Sequence, residues 1–273
     1  MNMQKAWLVF KKDWLEIKRN WQVLLPIIIL PLIFSVVFPG IIMVISQTPA
    51  QNMDPQDFQS LIVNLPADVQ TQISQMTPNQ ILFYIMVLYF FAPFFLIIPV
   101  MASSVMGSDS FAGERERKTI EALLATPISD SELLLGKILV SFIPAMIITW
   151  VSFAVYTTIA DIVGFTMFNG ALLLPNAIWL ILIFGVAPTL ALCSIGLTVI
   201  ISARVKGFKE AQQISVVLLL PVLGLVFAQI SGLLILGPAV LALLIVIFAV
   251  IDVAIFYVGT KLFHREEILS KPA

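Results

Sequence analysis

Long apolar stretches dominate this chain and alternate with short polar segments. Six stretches are long enough to cross a hydrocarbon layer as a helix, which requires about 20 apolar residues. They lie near residues 22–46, 80–106, 133–160, 177–202, 212–230 and 236–260. The pattern predicts an all-α, polytopic membrane protein with six transmembrane helices.

The basic residues all fall on one side of the predicted membrane. The 15 Lys and Arg residues lie in segments that share a compartment with the N-terminus. Residues 47–79, 161–176 and 231–235, on the other side, contain none. Positively charged segments stay in the cytoplasm during insertion. We therefore expect a multi-pass protein of the plasma membrane with both termini in the cytoplasm.

The composition leaves room for one membrane domain, residues 22–262, and for no soluble catalytic domain. Of the 273 residues, 60% are hydrophobic and 11% are charged. We expect residues 47–79 to form a modest external loop and residues 263–273 a cytoplasmic tail. The single cysteine, Cys193, lies in an apolar stretch, and the single histidine, His264, lies in the tail. These positions predict no disulfide and no metal site.

The first 21 residues predict an amphipathic helix that lies on the membrane surface. At about 100° per residue, its apolar side chains form one narrow stripe. Tryptophans at the headgroup level, backed by cations, are typical of an interfacial anchor that contacts membrane lipids. A cytosolic helix packed on a partner protein is the alternative. The stripe consists of Met3, Trp7, Phe10, Trp14, Ile17 and Trp21.

Local signals mark several ends of the predicted spans. Capping boxes that start at Thr77 and Ser129 begin the second and third spans. Lys137 lies about one turn into the third span, and we expect it to snorkel to the cytosolic surface. Asp109 is expected to cap the second span or to pair with Arg or Lys. Pro and Gly residues within 221–238 favour either a re-entrant connection or a short hairpin.

Candidate chemistry within the spans is sparse. Asp252 is the only acid well inside a predicted span. A carboxylate in the bilayer is energetically costly and by default indicates an ion or proton site. A structural acid bonded to Ser, Thr or Tyr of a neighbouring helix is the alternative. Residue 131 is Ser, so Gly136-Lys137 does not complete a P-loop and the chain is not expected to bind ATP.

The segment 113–126 between the second and third spans is the most informative cytoplasmic piece. It begins with charged residues, continues as an amphipathic stretch and is stopped by Pro127. Its apolar residues Ile120, Leu123 and Leu124 share one helical face. A short helix of this kind either docks on a partner protein or packs on its own bundle.

Three pieces of sequence carry a resemblance to a known family. They are Gly113-Glu114-Arg115, the run Thr119–Ser129 with its Thr-Pro-Ile-Ser end, and Gly136-Lys137. Together they resemble the signature of ABC transporter permeases of the type-2 exporter class. That class also has an amphipathic N-terminal helix, six spans and cytoplasmic ends, so the resemblance covers the whole chain. Lys118 departs from the pattern, because a glycine often precedes the threonine.

The resemblance implies a non-catalytic transport subunit that forms half of a translocation pathway. A second permease half, identical or related, and a dimer of separate ATPase subunits would complete the transporter. The ATPase would bind ATP and Mg, and the coupling helix 113–126 would contact it. The residues expected at this contact are Gly113, Glu114, Arg115, Arg117, Thr119, Glu121, Leu123, Leu124, Thr126 and Pro127.

Other functions stay open at this stage. An autonomous ion- or proton-coupled transporter would use Asp252 and would work without an ATPase. A membrane scaffold or sensor would use its cytosolic helices only to recruit partners. The apolar spans favour a hydrophobic or amphipathic cargo, such as a drug-like compound, lipid or peptide. Nucleic acid is not an expected partner, because the basic residues follow the membrane edge rather than one groove.

Overall fold

A computed structural model shows a bundle of long helices. It describes residues 2–47, 62–63, 67–119, 126, 128–202, 204–205, 207–231 and 233–262. These ranges contain helices and turns but no strand. Six helices are long and apolar enough to cross a membrane, which confirms the predicted all-α, six-span architecture. The tail 263–273 and most of the loop 47–79 lie outside the described residues.

The N-terminal helix α1 (Met3–Ile17) precedes the six spans, and a short helix α2 (Ala67–Ile73) precedes the second span. The second span is ten residues longer at its C-terminal end than predicted. It therefore includes the first residues of the predicted coupling helix. The six spans are Trp21–Ile45, Pro78–Glu116, Ser131–Gly164, Ala177–Ser202, Phe208–Ile230 and Pro238–Tyr257.

Side-chain caps explain where several helices begin. Thr77 and Ser129 each form a complete capping box, as predicted. Asn176 caps the fourth span, where its Oδ1 accepts from the Trp179 N–H at 2.9 Å. Each cap satisfies an N–H group that has no partner within its helix.

The predicted N-terminal helix 1–21 is divided in two. α1 ends at Ile17, and Trp21 begins the first span instead of continuing the stripe. Asn20 causes the division, because it adopts an extended conformation and its side chain accepts from the Gln22 N–H at 3.2 Å. A cap of this kind satisfies an N–H group of the first turn and so starts a new helix.

α1 packs along the start of the third span. Its buried face is formed by Ala6, Val9, Phe10, Asp13 and Ile17. This face overlaps only one edge of the predicted stripe, which supplies Phe10 and Ile17. Trp7 on the opposite edge and Met3 near the centre of the stripe face outward, with 45% and 60% exposure, while Trp14 is half-buried. An interfacial role for Trp7, Trp14 and Trp21 stays a prediction.

The second span is broken near its middle, and other spans cover the break. Pro93 has no N–H group to bond the Tyr89 carbonyl, so that carbonyl needs another donor. Side chains of the third, fourth and fifth spans bond three successive carbonyls here. The pairs are Tyr156 Oη with Val87 O at 3.0 Å, Trp179 Nε1 with Leu88 O at 3.1 Å, and Gln229 Nε2 with Tyr89 O.

The second and third spans extend beyond the other spans. With 39 and 34 residues, they are about 58 and 51 Å long, compared with about 30 Å for a hydrocarbon core. Trp179 near the start of the fourth span and Gln229 near the end of the fifth both reach the break at residues 88–89. Residues 78–86 of the second span therefore project past this level.

Candidate functional site

Lys137 lies at the centre of a buried ion-pair cluster. Its side chain is 0% exposed, and its Nζ lies 2.5 Å from Glu114 Oε2 and 3.4 Å from Asp13 Oδ2. The Nζ group also donates to the carbonyl oxygen of Ser110. The prediction that Lys137 snorkels to the surface is wrong, because α1 covers it and supplies Asp13. We call the end of the bundle that holds this cluster the basic end.

Lys12 of α1 reaches the other oxygen of the same carboxylate. Its Nζ forms an ion pair with Glu114 Oε1 and lies 3.2 Å from Asp13 Oδ1 and 3.3 Å from Glu16 Oε1. Burial lowers the pKa of Lys12, but the carboxylates of Asp13, Glu114 and Glu16 outweigh burial and raise that pKa above its ordinary value. Lys12 therefore stays charged, and Glu114 is held between two lysines.

A second ion pair lies at the end of the second span, and Asn20 links it to the start of the first span. Arg117 Nη1 lies 3.0 Å from Asp109 Oδ1, and Asn20 Nδ2 donates to the same oxygen at 3.2 Å. The predicted pairing of Asp109 with Arg or Lys is confirmed. Gly113 leaves room for this pair, because a Cβ atom there would lie 2.9 Å from Asp109 Oδ1. Gly113 thus permits the close approach of Arg117 to Asp109.

Two further contacts tie the second span to the connection between the fourth and fifth spans. Arg115 Nη1 donates to the Ser202 carbonyl at 3.2 Å, and Glu116 Oε2 accepts from the Phe208 N–H at 2.9 Å. Phe208 is the first residue of the fifth span, so the Glu116 carboxylate caps that helix from another element. The end of the second span therefore contacts α1 and the first, third, fourth and fifth spans.

The second span ends in a Schellman motif at Lys118. The Lys118 N–H donates to the Arg115 carbonyl at 3.1 Å, and the Thr119 N–H donates to the Glu114 carbonyl at 3.0 Å. Lys118 has a φ of 57°, the left-handed conformation that favours glycine. This geometry gives a physical reason for the glycine that often precedes the threonine in the family pattern.

The predicted coupling residues divide into two groups. Gly113 and Glu114 are buried, and Arg115 is half-buried and bonded to Ser202, so these three hold the bundle together. Arg117 and Thr119 are exposed, and Thr126 is half-buried. The predicted residues Glu121, Leu123, Leu124 and Pro127 lie outside the described residues.

Sequence reasoning missed the contribution of α1 to this cluster. Asp13 lies on the same helical face as Ala6, Val9 and Ile17, all of which are buried. A charged residue in the middle of an otherwise apolar face was the available signal, because a buried acid requires a partner. A Cβ atom on Gly136 would lie 2.7 Å from the Ala6 carbonyl oxygen, so Gly136 lets α1 approach the third span closely.

Asp252 is not part of this cluster. It is half-buried on the sixth span, near Ile255, which contacts the fourth span at Gly196. Its Oδ1 atom is shielded from solvent and has no hydrogen-bond partner among the described residues. The predicted alternative of a structural acid bonded to Ser, Thr or Tyr is therefore not seen for this oxygen. Within the same ranges, no group of three or more His, Cys, Asp or Glu residues could hold a metal ion.

These features define a multi-pass membrane protein whose spans are joined by a charged cluster at one end. Residues 7–243 match the ABC-2 family transporter proteins. The chain belongs to this family and is a permease of the ABC-transporter type, which confirms the family resemblance. The matched range includes most of α1 and the whole ion-pair cluster. A search of curated proteins finds no match.

Proposed function

We propose that the chain is one permease half of an ATP-driven exporter and that separate ATPase subunits bind at its basic end. Membership of the ABC-2 family supports an ABC-transporter permease. The finer proposal rests chiefly on the ion pair between Glu114 and Lys137, whose charged atoms are 2.5 Å apart. Glu114 lies at the end of the second span and Lys137 near the start of the third, on either side of the segment that connects these spans.

The ion pair joins the two ends of the segment that the ATPase would move. The segment leaves the second span at Arg117 and returns at Ser129, so Glu114 and Lys137 flank it. Removing one partner of a buried ion pair costs about 3–5 kcal/mol of folding stability. The contact between the two ends of the segment should therefore persist when the segment is pushed. A push on the segment would therefore act on the second and third spans together.

The neighbouring contacts extend this mechanical link. Lys12 and Asp13 attach α1 to the pair, and Glu116 attaches the start of the fifth span. Coupling requires packed elements that shift between alternative arrangements. In the proposed mechanism, closure of the ATPase dimer moves the segment, and the basic end follows as a unit.

The part of the segment after Arg117 makes the direct contact with the ATPase. Gly113 and Glu114 are engaged within the bundle, so their role is to position the segment. We assign the contact to Thr119, Glu121, Leu123, Leu124, Thr126 and Pro127. Of these, Leu123 and Leu124 supply the apolar ridge that a partner cleft would bury.

The remaining features of the proposal follow from the charge pattern. The basic end faces the cytoplasm of a plasma-membrane protein, because all 15 Lys and Arg residues belong to segments on this side. ATP and Mg are bound by the ATPase dimer, and a second permease half, identical or related, completes the pathway. A hydrophobic or amphipathic cargo suits spans that contain so few charges.

Co-purification in a mild detergent tests the ATPase contact. The intact chain should retain a P-loop ATPase, and the variant Leu123→Asp/Leu124→Asp should lose it. Leu233→Asp is the matched control, because Leu233 is 85% exposed and far along the chain from this segment. Equal recovery with all three proteins would disprove the contact. Absence of an ATPase from all three would favour an autonomous transporter.

Asp252 supports the second candidate, an ion- or proton-coupled transporter. The observation in its favour is the shielded Oδ1 atom that lacks a hydrogen bond within the described part of the chain. This candidate predicts that Asp252→Asn abolishes ion-dependent transport in the absence of ATPase. If cells with Asp252→Asn show normal cation tolerance and normal drug efflux, the ion- or proton-coupled candidate is ruled out.

A further inference from the structure

A cavity of about 550 Å³ lies at the end of the bundle opposite the basic end. This volume falls within the range of about 300–1,000 Å³ that is typical of small-molecule sites. The cavity is bounded by the last turns of the third span and by the connection to the fourth. Its lining includes Thr157, Asp161, Ile162, Phe165, Leu172 and Leu174.

The cavity lies at the level of the membrane boundary. Thr157 follows Tyr156, whose hydroxyl bonds the Val87 carbonyl, and Trp179 of the fourth span bonds the next carbonyl, that of Leu88. The fourth span has 26 residues and is therefore about 39 Å long, which matches a bilayer with its headgroups. Its first turn, with Trp179, thus lies among the headgroups, beside the cavity.

Asp161 gives the cavity a carboxylate that forms no ion pair with any residue that the structure describes. Its Oδ1 accepts from the N–H groups of Leu173 and Leu174 at 3.0 and 3.2 Å. Its Oδ2 receives no hydrogen bond from any residue that the structure describes. The segments 47–79, 161–176 and 231–235 contain no Lys or Arg that could pair with it. A charged group that is 9% exposed is best stabilised by a cation from outside the chain.

The rest of the cavity is lined by two threonines and an apolar rim. Thr157 Oγ1 is shielded from solvent, so a ligand in the cavity does not reach it, and Thr158 Oγ1 donates to a carbonyl of its own helix at 2.8 Å. Ile162, Phe165 and Leu172 are 69%, 54% and 69% exposed. Large apolar side chains that remain this exposed around a cavity at the membrane surface are suited to an alkyl or acyl chain.

We propose that this cavity binds an amphiphile with an ammonium headgroup. The ammonium group lies against Asp161, and the apolar chain crosses Ile162, Phe165 and Leu172. Two sources have this chemistry: an ethanolamine phospholipid of the bilayer and a cationic amphiphile that the transporter carries. Binding at this site involves no ATPase, so its test is independent of the coupling mechanism.

Native mass spectrometry of the full chain in an uncharged detergent tests the proposal. The probes are dodecyltrimethylammonium, dodecyl phosphate, phosphatidylethanolamine and phosphatidylglycerol, added separately and then in competition. We expect one saturable dodecyltrimethylammonium per chain and no equivalent binding of dodecyl phosphate. Displacement by phosphatidylethanolamine but not phosphatidylglycerol identifies the lipid as the source. Binding without displacement by phosphatidylethanolamine identifies a free cationic amphiphile as the source of the bound ammonium group.

Two variants separate the role of the charge from a structural role. Asp161→Asn retains an oxygen for the Leu173 and Leu174 N–H groups, and it should weaken ammonium binding at least about tenfold by removing a charged partner. Leu172→Arg places a cation at the exposed rim and should abolish binding even if Asp161→Asn does not fold. Leu233→Arg is its matched control and should bind normally.

Three results would overturn the proposal. One is the absence of saturable ammonium binding to the intact chain. Another is equal binding by Asp161→Asn, with an unchanged melting temperature. The third is equal binding of dodecyltrimethylammonium to the Leu172→Arg variant.

Discussion

Lys137 and Glu114 belong to different spans, yet their charged atoms lie 2.5 Å apart in the interior of the protein. The pair is shielded on one side by α1, which adds Lys12 and Asp13. Burial of both charges is costly, and only mutual contact with further hydrogen bonds offsets the cost. The pair therefore fixes how the second span, the third span and α1 meet.

Removal of one charge from this pair should be more harmful than removal of both. Lys137→Met leaves Glu114 buried with only Lys12, and we expect the protein to lose about 3–5 kcal/mol of stability. Glu114→Gln/Lys137→Met should recover part of the loss. The measurement is the melting temperature in detergent.

Lys11→Met is the control for this series, because Lys11 is exposed on α1. It should melt like the unmodified protein. A double variant that melts no higher than Lys137→Met would show that the two charges do not stabilise each other.

Gly136→Ala should detach α1 from the third span. The new Cβ atom would lie 2.7 Å from both the Ala6 carbonyl oxygen and Val9 Cβ, so α1 must move. Hydrogen exchange of residues 3–17 should become faster, while the spans stay protected. Gly224→Ala is the control, since no heavy atom lies within 4 Å of its added Cβ. Unchanged exchange in Gly136→Ala would argue against close packing of α1.

Lys118→Gly should stabilise the protein. Lys118 adopts φ 57° at the end of the second span, and the left-handed conformation costs a non-glycine residue about 1–2 kcal/mol. Glycine removes this cost but adds some entropy to the unfolded chain. We expect a net gain of about 0.5–1 kcal/mol, seen as a higher melting temperature.

Asn169 provides a comparison for the Lys118 prediction, because it also has a positive φ, of 52°. Asparagine tolerates this conformation better than lysine. Asn169→Gly should therefore raise the melting temperature less than Lys118→Gly. The reverse order would contradict the assignment of strain to Lys118.

The two edges of the α1 stripe should respond differently to charge. Trp7→Glu should reduce the membrane protection of residues 3–17 without unfolding the spans, because Trp7 is 45% exposed and faces outward. Phe10→Glu should lower the melting temperature, since Phe10 is 9% exposed and packs within the bundle. Unchanged protection of α1 in the tryptophan variant would count against an interfacial position.

Local sequence patterns predicted the elements of this fold because their causes are local. Apolar length defined the six spans, and the capping boxes at Thr77 and Ser129 defined two of their starts. Asp109 was correctly expected to pair with a basic residue, since Arg117 is only two helical turns away. The division of residues 1–21 at Asn20 was overlooked because the apolar spacing continues through the cap to Trp21.

The ion-pair cluster could not be derived from local patterns. Asp13 and Lys137 are separated by 124 positions in the sequence, and no periodicity shows that α1 folds back onto the third span. Lys137 was therefore assigned to the nearest surface rather than to a buried site. The family pattern contained both Glu114 and Lys137, but their contact became evident only from the structure.

Distance measurement by pulsed electron paramagnetic resonance tests the central claim most directly. Spin labels at Thr119→Cys and Leu233→Cys, in a Cys193→Ser background, report on the two opposite ends of the helical bundle in its complex with the ATPase. We predict a shift in the distance distribution when nucleotide is trapped with vanadate, and loss of that shift in Glu114→Gln/Lys137→Met. Coupling through the cluster would be contradicted by an identical shift in that variant, or by no shift in the labelled protein that retains Glu114 and Lys137.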